Sequence, residues 1–324
     1  MRGNSKKEIN VLSGRSAIPL YMTKQQSTHR KAYLALVAVT LLWGYNWVII
    51  KESLQYCDPF VFTALRVFCG SVILLTVLAW KRGSLVPRNI PLLIFAGILS
   101  ITGGTGISTW ALENGGAGKT AILVYTMPFW ALLLGWPLLA ERIRGLQWLA
   151  VGLAFSGLIA IMAPWKIPLD FSSSLLAILS GLMWAGGSIL IKVMGKKTDF
   201  DLLSVTAWQL FFGAIPLVIV ATLIPSPPVR WTSYLLGALV YNIVFASAIG
   251  ILLWFYALQK LPTGSATMGT LATPVIGAIA AAVQLGERPS PGEAAGMILI
   301  ICGIVLLAVL DLRRLQNIQN EINK

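Results

Sequence analysis

Ten apolar stretches, each close to twenty residues long, make up most of this chain of 324 residues, and the links between them are too short to hold a soluble domain. A helix that crosses the hydrocarbon core of a bilayer needs about 20 mostly apolar residues. The stretches lie at 32–50, 60–80, 90–112, 119–139, 147–163, 173–194, 202–223, 233–257, 264–284 and 293–310. They are too long, and too rich in Gly and Leu, for porin-type strands of about 10 residues each. The composition agrees: 11% of residues are charged and 56% are hydrophobic, against roughly 25% charged in soluble domains. The expectation is an all-α integral membrane protein of ten transmembrane helices.

A net charge of +13 invites a nucleic-acid partner, but the distribution of the basic residues argues against one. They crowd the segment before the first stretch (Arg2 to Lys31) and follow the even-numbered stretches: Lys81, Arg82 and Arg88; Arg142 and Arg144; Lys196 and Lys197; Lys260; Arg313, Arg314 and Lys324. The opposite side has Lys119, Lys166, Arg230 and Arg288. Positive charge collects on the cytoplasmic side. Residues 1–31 and 311–324 then read as cytoplasmic tails of a multi-pass protein of a bacterial-type inner (plasma) membrane. The lipid bilayer is the expected partner, and the basic tail can touch its anionic lipids. The first 31 residues hold no unbroken apolar core of a secretory leader. A translation start at Met22 would still leave a basic flank, and the intact mass would settle the point.

Cys57, Cys69 and Cys302 form neither a disulfide framework nor a metal spacing, and the lone His29 lies in the polar tail. An intramembrane enzyme would need paired acids, a histidine-rich metal cluster or a nucleophile with its base. The stretches contain none of these, so no enzyme, cofactor or metal is expected. "GGAGKT" (115–120) imitates a phosphate loop, but Glu113 stands where the first glycine belongs and no strand precedes it.

The chain repeats itself. "LWGYNWVIIK" (42–51) returns as "MWAGGSILIK" (183–192), placing Trp184 and Lys192 opposite Trp43 and Lys51 at an offset of 141. "DPFVFTALRVFCG" (58–70) matches "DLLSVTAWQLFFG" (201–213) at 143. "PFWALLLGWPLLAER" from Pro128 matches "PVIGAIAAAVQLGER" from Pro274 at 146, which aligns Gly157 with Gly303. Five stretches are therefore copied, dividing the chain into repeats at 32–163 and 173–310. An odd number of crossings puts the second copy upside down in the bilayer. Such inverted repeats are an architecture of secondary transporters.

These features together resemble the EamA family of the drug/metabolite transporter superfamily. The resemblance rests on "LWGYNWVIIK", on "FTALRVFCG" and on both proline-to-Glu-Arg elements, and it covers about residues 32–310. It implies ten helices in two inverted five-helix repeats and a carrier, often an exporter, of amino acids or similar small metabolites. The second copy departs from the first at Ser188, opposite Trp47, and at Gln209, opposite Arg66. A channel or a multi-pass enzyme of unknown substrate is the alternative. No acidic residue lies deep in a stretch, which points to facilitated transport or exchange rather than a buried proton relay.

Helical spacing puts Trp43, Trp47 and Lys51 on one stripe, with Asn46 beside it, and Trp184, Ser188 and Lys192 on another. An asparagine in mid-span is costly against lipid and should face protein or a watery cavity. Indole rings suit a solute that is part polar and part apolar. Trp43, Asn46, Trp47, Thr105, Tyr125, Trp184, Ser188, Asn242 and Thr270 are thus the candidate substrate-binding residues; packing between helices is the plainer role for each. Lys51 and Lys192 should mark opposite mouths, as gates or as side chains snorkelling to headgroups. Arg66, inside the second stretch, needs a partner, and Glu113 ends the third on the same face. An Arg66–Glu113 ion pair is expected, with a neutral Gln209–Gln259 counterpart in the second half. Pro128 and Pro274 should kink their helices. Glu141 and Glu287 lie at helix ends, suited to capping neighbouring helices or pairing with arginine.

Overall fold

The computed structural model describes residues 12–114, 120, 123–141, 143–162, 171–284 and 291–322, and all regular structure among them is helical. Helix α1 spans Leu12–Ser53 and α2 spans Pro59–Trp80. Helix α3 (Ile90–Gly97) continues through a π-helical stretch, Ile98–Gly106, into α4 (Ile107–Asn114). Then come α5 (Met127–Leu139), α6 (Gln147–Met162), α7 (Phe171–Lys197) and α8 (Leu202–Leu223). Helix α9 (Ser233–Val240) likewise continues through a π-helical stretch, Tyr241–Ile249, into α10 (Gly250–Lys260). Helices α11 (Thr263–Gly269), α12 (Ala272–Gln284) and α13 (Pro291–Ile322) follow. The expected elements on residues 115–119, 142, 163–170 and 285–290, including Glu287 and Arg288, lie outside the described residues.

Six helical segments among the described residues are long and apolar enough to cross a membrane: Thr28–Ser53, Pro59–Trp80, Ile90–Glu113, Leu175–Lys197, Leu202–Leu223 and Ser233–Lys260. No more than half of each apolar window is buried inside the protein. The rest faces outward as bare Leu, Val, Ile and Phe, such as Leu34, Val37, Phe95 and Val240. A water-exposed surface of that kind would drive aggregation; against lipid it costs nothing. Trp80 and Trp231 are exposed at helix edges, where indoles favour the headgroup level. This is a multi-pass membrane protein.

Local signals set the helix boundaries. Asp58 accepts hydrogen bonds from the backbone N–H of Phe60 (2.8 Å) and Val61 (3.2 Å), with Pro59 in the first turn of α2. Asp201 does the same for α8 through Leu203 N–H at 3.2 Å. Each carboxylate satisfies otherwise orphaned donors of a helix start. Helices α2 and α8 then pack together, as do α6 and α13. A Cβ on Gly157 would lie 2.5 Å from the Gly296 carbonyl, and one on Gly303 would lie 2.7 Å from that of Ala150. Only glycine admits backbones that close, as in small-residue membrane contacts.

The expected kinks at Pro128 and Pro274 are full breaks. Tyr125 and Thr126 form a turn before α5, and Thr270 and Leu271 form one between α11 and α12. Proline lacks the N–H that would carry the helix across, so each proline sits in the first turn of a new helix. Threonine hydroxyls cap the interruptions: Thr126 donates to Leu123 O at 2.7 Å and Thr270 to Thr267 O at 2.6 Å.

Candidate functional site

A cavity of about 100 Å³ lies where α1, α2, α7, both π-helical stretches and the two helix breaks converge. That is room for several waters or for a small organic group. Of the expected binding residues, Trp43, Asn46, Trp47, Thr105, Tyr125, Trp184 and Thr270 line it. Tyr125 and Thr270 reach it from the breaks. Ile50 extends the stripe of α1 by one further position.

The walls are aromatic and locked together. Trp43 meets Trp184 edge-on at 5.5 Å between ring centroids, and its indole N–H donates to the Ala246 carbonyl at 3.0 Å. The Trp47 indole N–H donates to the Tyr125 hydroxyl at 3.2 Å, with the rings 6.1 Å apart. The π-helical stretches make this fit possible, because widening the backbone turn opens room between side chains. Gly104 presents no side chain to Trp184, and Gly250 none to Trp43.

The polar lining is less complete. Arg66 is buried and donates through Nη1 to Asn242 Oδ1 at 3.2 Å. Asn242 Nδ2 in turn donates to the Ala238 carbonyl at 3.1 Å. Asn242 therefore lies behind Arg66 and is not part of the cavity wall. The Arg66–Glu113 ion pair is not formed among the described residues. Glu113 is exposed at the end of α4, where its carboxylate keeps its hydration, whereas following Arg66 inward would strip that hydration away. The Gln209–Gln259 counterpart does not form either. Gln209 Nε2 donates to Ala96 O (3.3 Å) and Ser100 Oγ (3.0 Å), and Gln259 Nε2 to Ile191 O (2.9 Å). Ser188 is fully buried and accepts from the Trp254 indole at 3.3 Å, away from the cavity.

Beyond the cavity, an ion pair joins α7 to the segment that follows α5. Lys192 Nζ lies 3.1 Å from Glu141 Oε1 and donates to Leu261 O (2.7 Å) and Thr263 Oγ1 (3.0 Å). The Thr263 N–H donates to Glu141 Oε2 at 2.6 Å. Glu141 thus caps α11, as a helix-end role predicts, but its cation is a lysine and not an arginine. Lys196 adds a second cation at 3.6 Å. Ala140, in the left-handed region at φ 55°, ends α5 and turns Glu141 toward α7. Burial raises the Glu141 pKa, but Lys192 and the Thr263 hydrogen bonds outweigh it and hold the carboxyl below its ordinary value. Lys51, by contrast, is exposed.

Ser108, Thr109 and Ser247 also line the cavity, beyond the residues expected from the sequence. Ser108 and Thr109 stand one turn beyond Thr105 and bond back to its carbonyl at 2.9 Å each. Helical spacing from Thr105 is the signal that could have found them.

A profile of the EamA-like transporter family matches residues 30–163 and again 171–309. The uncharacterized transporter YoaV of Bacillus subtilis is 27% identical over 85% of this chain and 96% of its own length. The uncharacterized inner membrane transporter YedA of Escherichia coli K12 is 24% identical, covering 85% of this chain and 90% of its own. A probable amino-acid metabolite efflux pump of Salmonella typhimurium is 24% identical over 86% of this chain and 95% of its own. A solved crystal structure at 18% identity superposes with a TM-score of 0.75, covering 87% of this chain and 98% of that one.

Proposed function

The chain belongs to the EamA-like transporter family, and on that premise we propose that it is a secondary transporter moving a small organic metabolite across the inner membrane by alternating access. The observation that carries this reading is the cavity itself: both halves of the chain build it, and it holds buried polar atoms among aromatic walls. Ten crossings in two inverted repeats, 32–163 and 173–310, are part of the proposal. Two features support them. The π-helical stretches Ile98–Gly106 and Tyr241–Ile249 are both 9 residues long and stand at the offset found in the flanking sequence. The close contacts of Gly157 on Gly296 and of Gly303 on Ala150 exchange with one another at the offset of 146. Such reciprocity is the mark of a two-fold relation.

With both termini cytoplasmic, α1 runs outward and α7 inward. On this reading the Lys192–Glu141 pair belongs to the closure of the inner mouth. Opening requires that tie to break. The helix breaks at Tyr125–Thr126 and Thr270–Leu271 are natural bending points beside the solute. Facilitated transport or exchange is favoured over proton coupling, since the cavity contains no carboxylate among its described lining residues. The name of the Salmonella relative makes amino acids and related metabolites the first solutes to try.

Counterflow in proteoliposomes tests the reading, with amino acids, nucleosides and sugars as solutes. Exchange of one class that ignores an imposed pH gradient is expected. Accumulation driven by that gradient would demand a coupling site that the reading lacks, and no exchange of any class would remove the carrier function.

A further inference from the structure

We propose that the cavity takes its solute by a carboxylate, with Arg66 as the cation that receives it and Asn46 and Thr105 as partners for the solute's N–H groups. This rests on the carrier reading and narrows it to small amphiphiles that carry both a negative charge and a hydrogen-bond donor.

The inference starts from an imbalance of charge. Arg66 is 7% exposed, yet no carboxylate pairs with it among the described residues. Its hydrogen-bond partner is the neutral amide of Asn242, at 3.2 Å, and its Nε has no partner among the described residues. A buried charge without an opposite charge is expensive. The amide supplies a dipole that orients the guanidinium but leaves its charge standing. The contrast with Lys192 is direct: that buried cation has Glu141 at 3.1 Å and two further acceptors. One cation is therefore neutralised by the fold, while the other lines the cavity with the Phe62 ring at 6.0 Å and an amide beside it but no carboxylate among the described residues. A guanidinium with a free edge matches a carboxylate in two parallel hydrogen bonds.

Two further atoms point the same way. Asn46 is 5% exposed and Thr105 is 6% exposed; both line the same cavity, and Asn46 Oδ1 and Thr105 Oγ1 lack partners among the described residues. Buried side-chain polar atoms are nearly always hydrogen-bonded, and a carbonyl oxygen can only accept. An ammonium or amide N–H on the solute supplies what they lack. The indole and phenol faces of Trp43, Trp47, Trp184 and Tyr125 then cover the apolar remainder. The trapped Arg66 charge discriminates against solutes that bring no anion, because for them its desolvation goes uncompensated.

The test compares acids with their carboxamides, which keep the ammonium and the side chain but remove the negative charge. Purified full-length protein in detergent is titrated with L-amino acids and the matching carboxamides, beginning with phenylalanine, leucine and threonine, and binding is read by thermal stabilisation. At least one acid should bind, and its amide roughly ten- to a hundredfold more weakly, the range for a hydrogen-bonded charge. Arg66→Gln should erase the difference, and Arg66→Lys should keep part of it. Asn242→Asp provides for the case where Arg66 variants fold poorly: it puts a carboxylate where Asn242 Oδ1 now stands, satisfies Arg66 from within, and should give a folded protein that no longer prefers the acid. Amides that bind as tightly as acids, an Asn242→Asp protein that still prefers acids, or no binding by any acid would each overturn the assignment. Acid binding without counterflow would instead strike at the carrier reading and leave the anion subsite standing. Counterflow confined to uncharged solutes would do the reverse.

Discussion

Lys192 and Glu141 meet at 3.1 Å, joining the C-terminal part of α7 to the segment that follows α5, and the two ends of this bond are unequally placed. The lysine side chain is 4% exposed and the carboxylate 26%. Removing the carboxylate leaves a charge with almost no access to water. Removing the lysine leaves one that water, Lys196 and the Thr263 N–H can still serve. Glu141→Gln should therefore cost more stability than Lys192→Met, by about 3 kcal/mol or more for the former. The double variant should fall well short of the sum. Unfolding midpoints of the four proteins in one detergent form the cycle, and strictly additive losses would deny the coupling.

The same pair sets a pH dependence. The Glu141 carboxyl lies below its ordinary value of 4.5 in the folded protein because Lys192 and Thr263 stabilise its charged form against the cost of burial. A depressed acid stabilises the fold fully above its unfolded value, and that share is lost as pH falls through the folded value. Thermal stability should hold from neutrality to about pH 5 and then decline on acidification. The Glu141→Gln protein should start lower and decline less. Parallel curves for the two proteins would assign the acid sensitivity to other groups.

Cys57, in the link between α1 and α2, should be a poor nucleophile. Burial, and then the neighbouring Asp58, push its thiol up to about 11. The thiolate is the reactive form. In a Cys69→Ser, Cys302→Ser background, alkylation by iodoacetamide should be slow at pH 7 to 8 and accelerate as pH climbs past about 10. Fast labelling near neutrality would mean that the thiol is neither buried nor raised.

The α6–α13 contact predicts an asymmetric response to bulk. Gly157 and Gly303 face the opposite helix's backbone at 2.5 and 2.7 Å from a would-be Cβ, while Gly152, on the same helix as Gly157, has nothing within 4 Å. Gly157→Leu and Gly303→Leu should each destabilise the protein by about 1–3 kcal/mol through overpacking, and Gly152→Leu should be close to silent. Equal effects at Gly152 and Gly157 would mean that the two helices do not meet there.

Much of the site is legible in the sequence because a helix converts spacing into direction. Trp43, Asn46 and Trp47 reach one cavity since residues three and four apart share a face. Asp58 and Asp201 mark helix starts because a cap is a local bond, made within three residues. The length of a membrane-crossing stretch follows from bilayer thickness. Partner choice is not local. Arg66 finds Asn242 across 176 positions of chain, and Lys192 finds Glu141 across a gap between helices that no periodicity spans. Glu113 has the right charge and the right face for Arg66, yet remains hydrated at a helix end.

The residues alone dictate that this chain enters a membrane, where α2 and α8 start, and which side chains share a stripe, because burial, capping and helical period act over a few residues. Tertiary structure alone decided which buried charge is neutralised and which stays open to the cavity. That outcome depends on how far each carboxylate can follow its cation out of water, and only the packed arrangement of distant helices sets that distance.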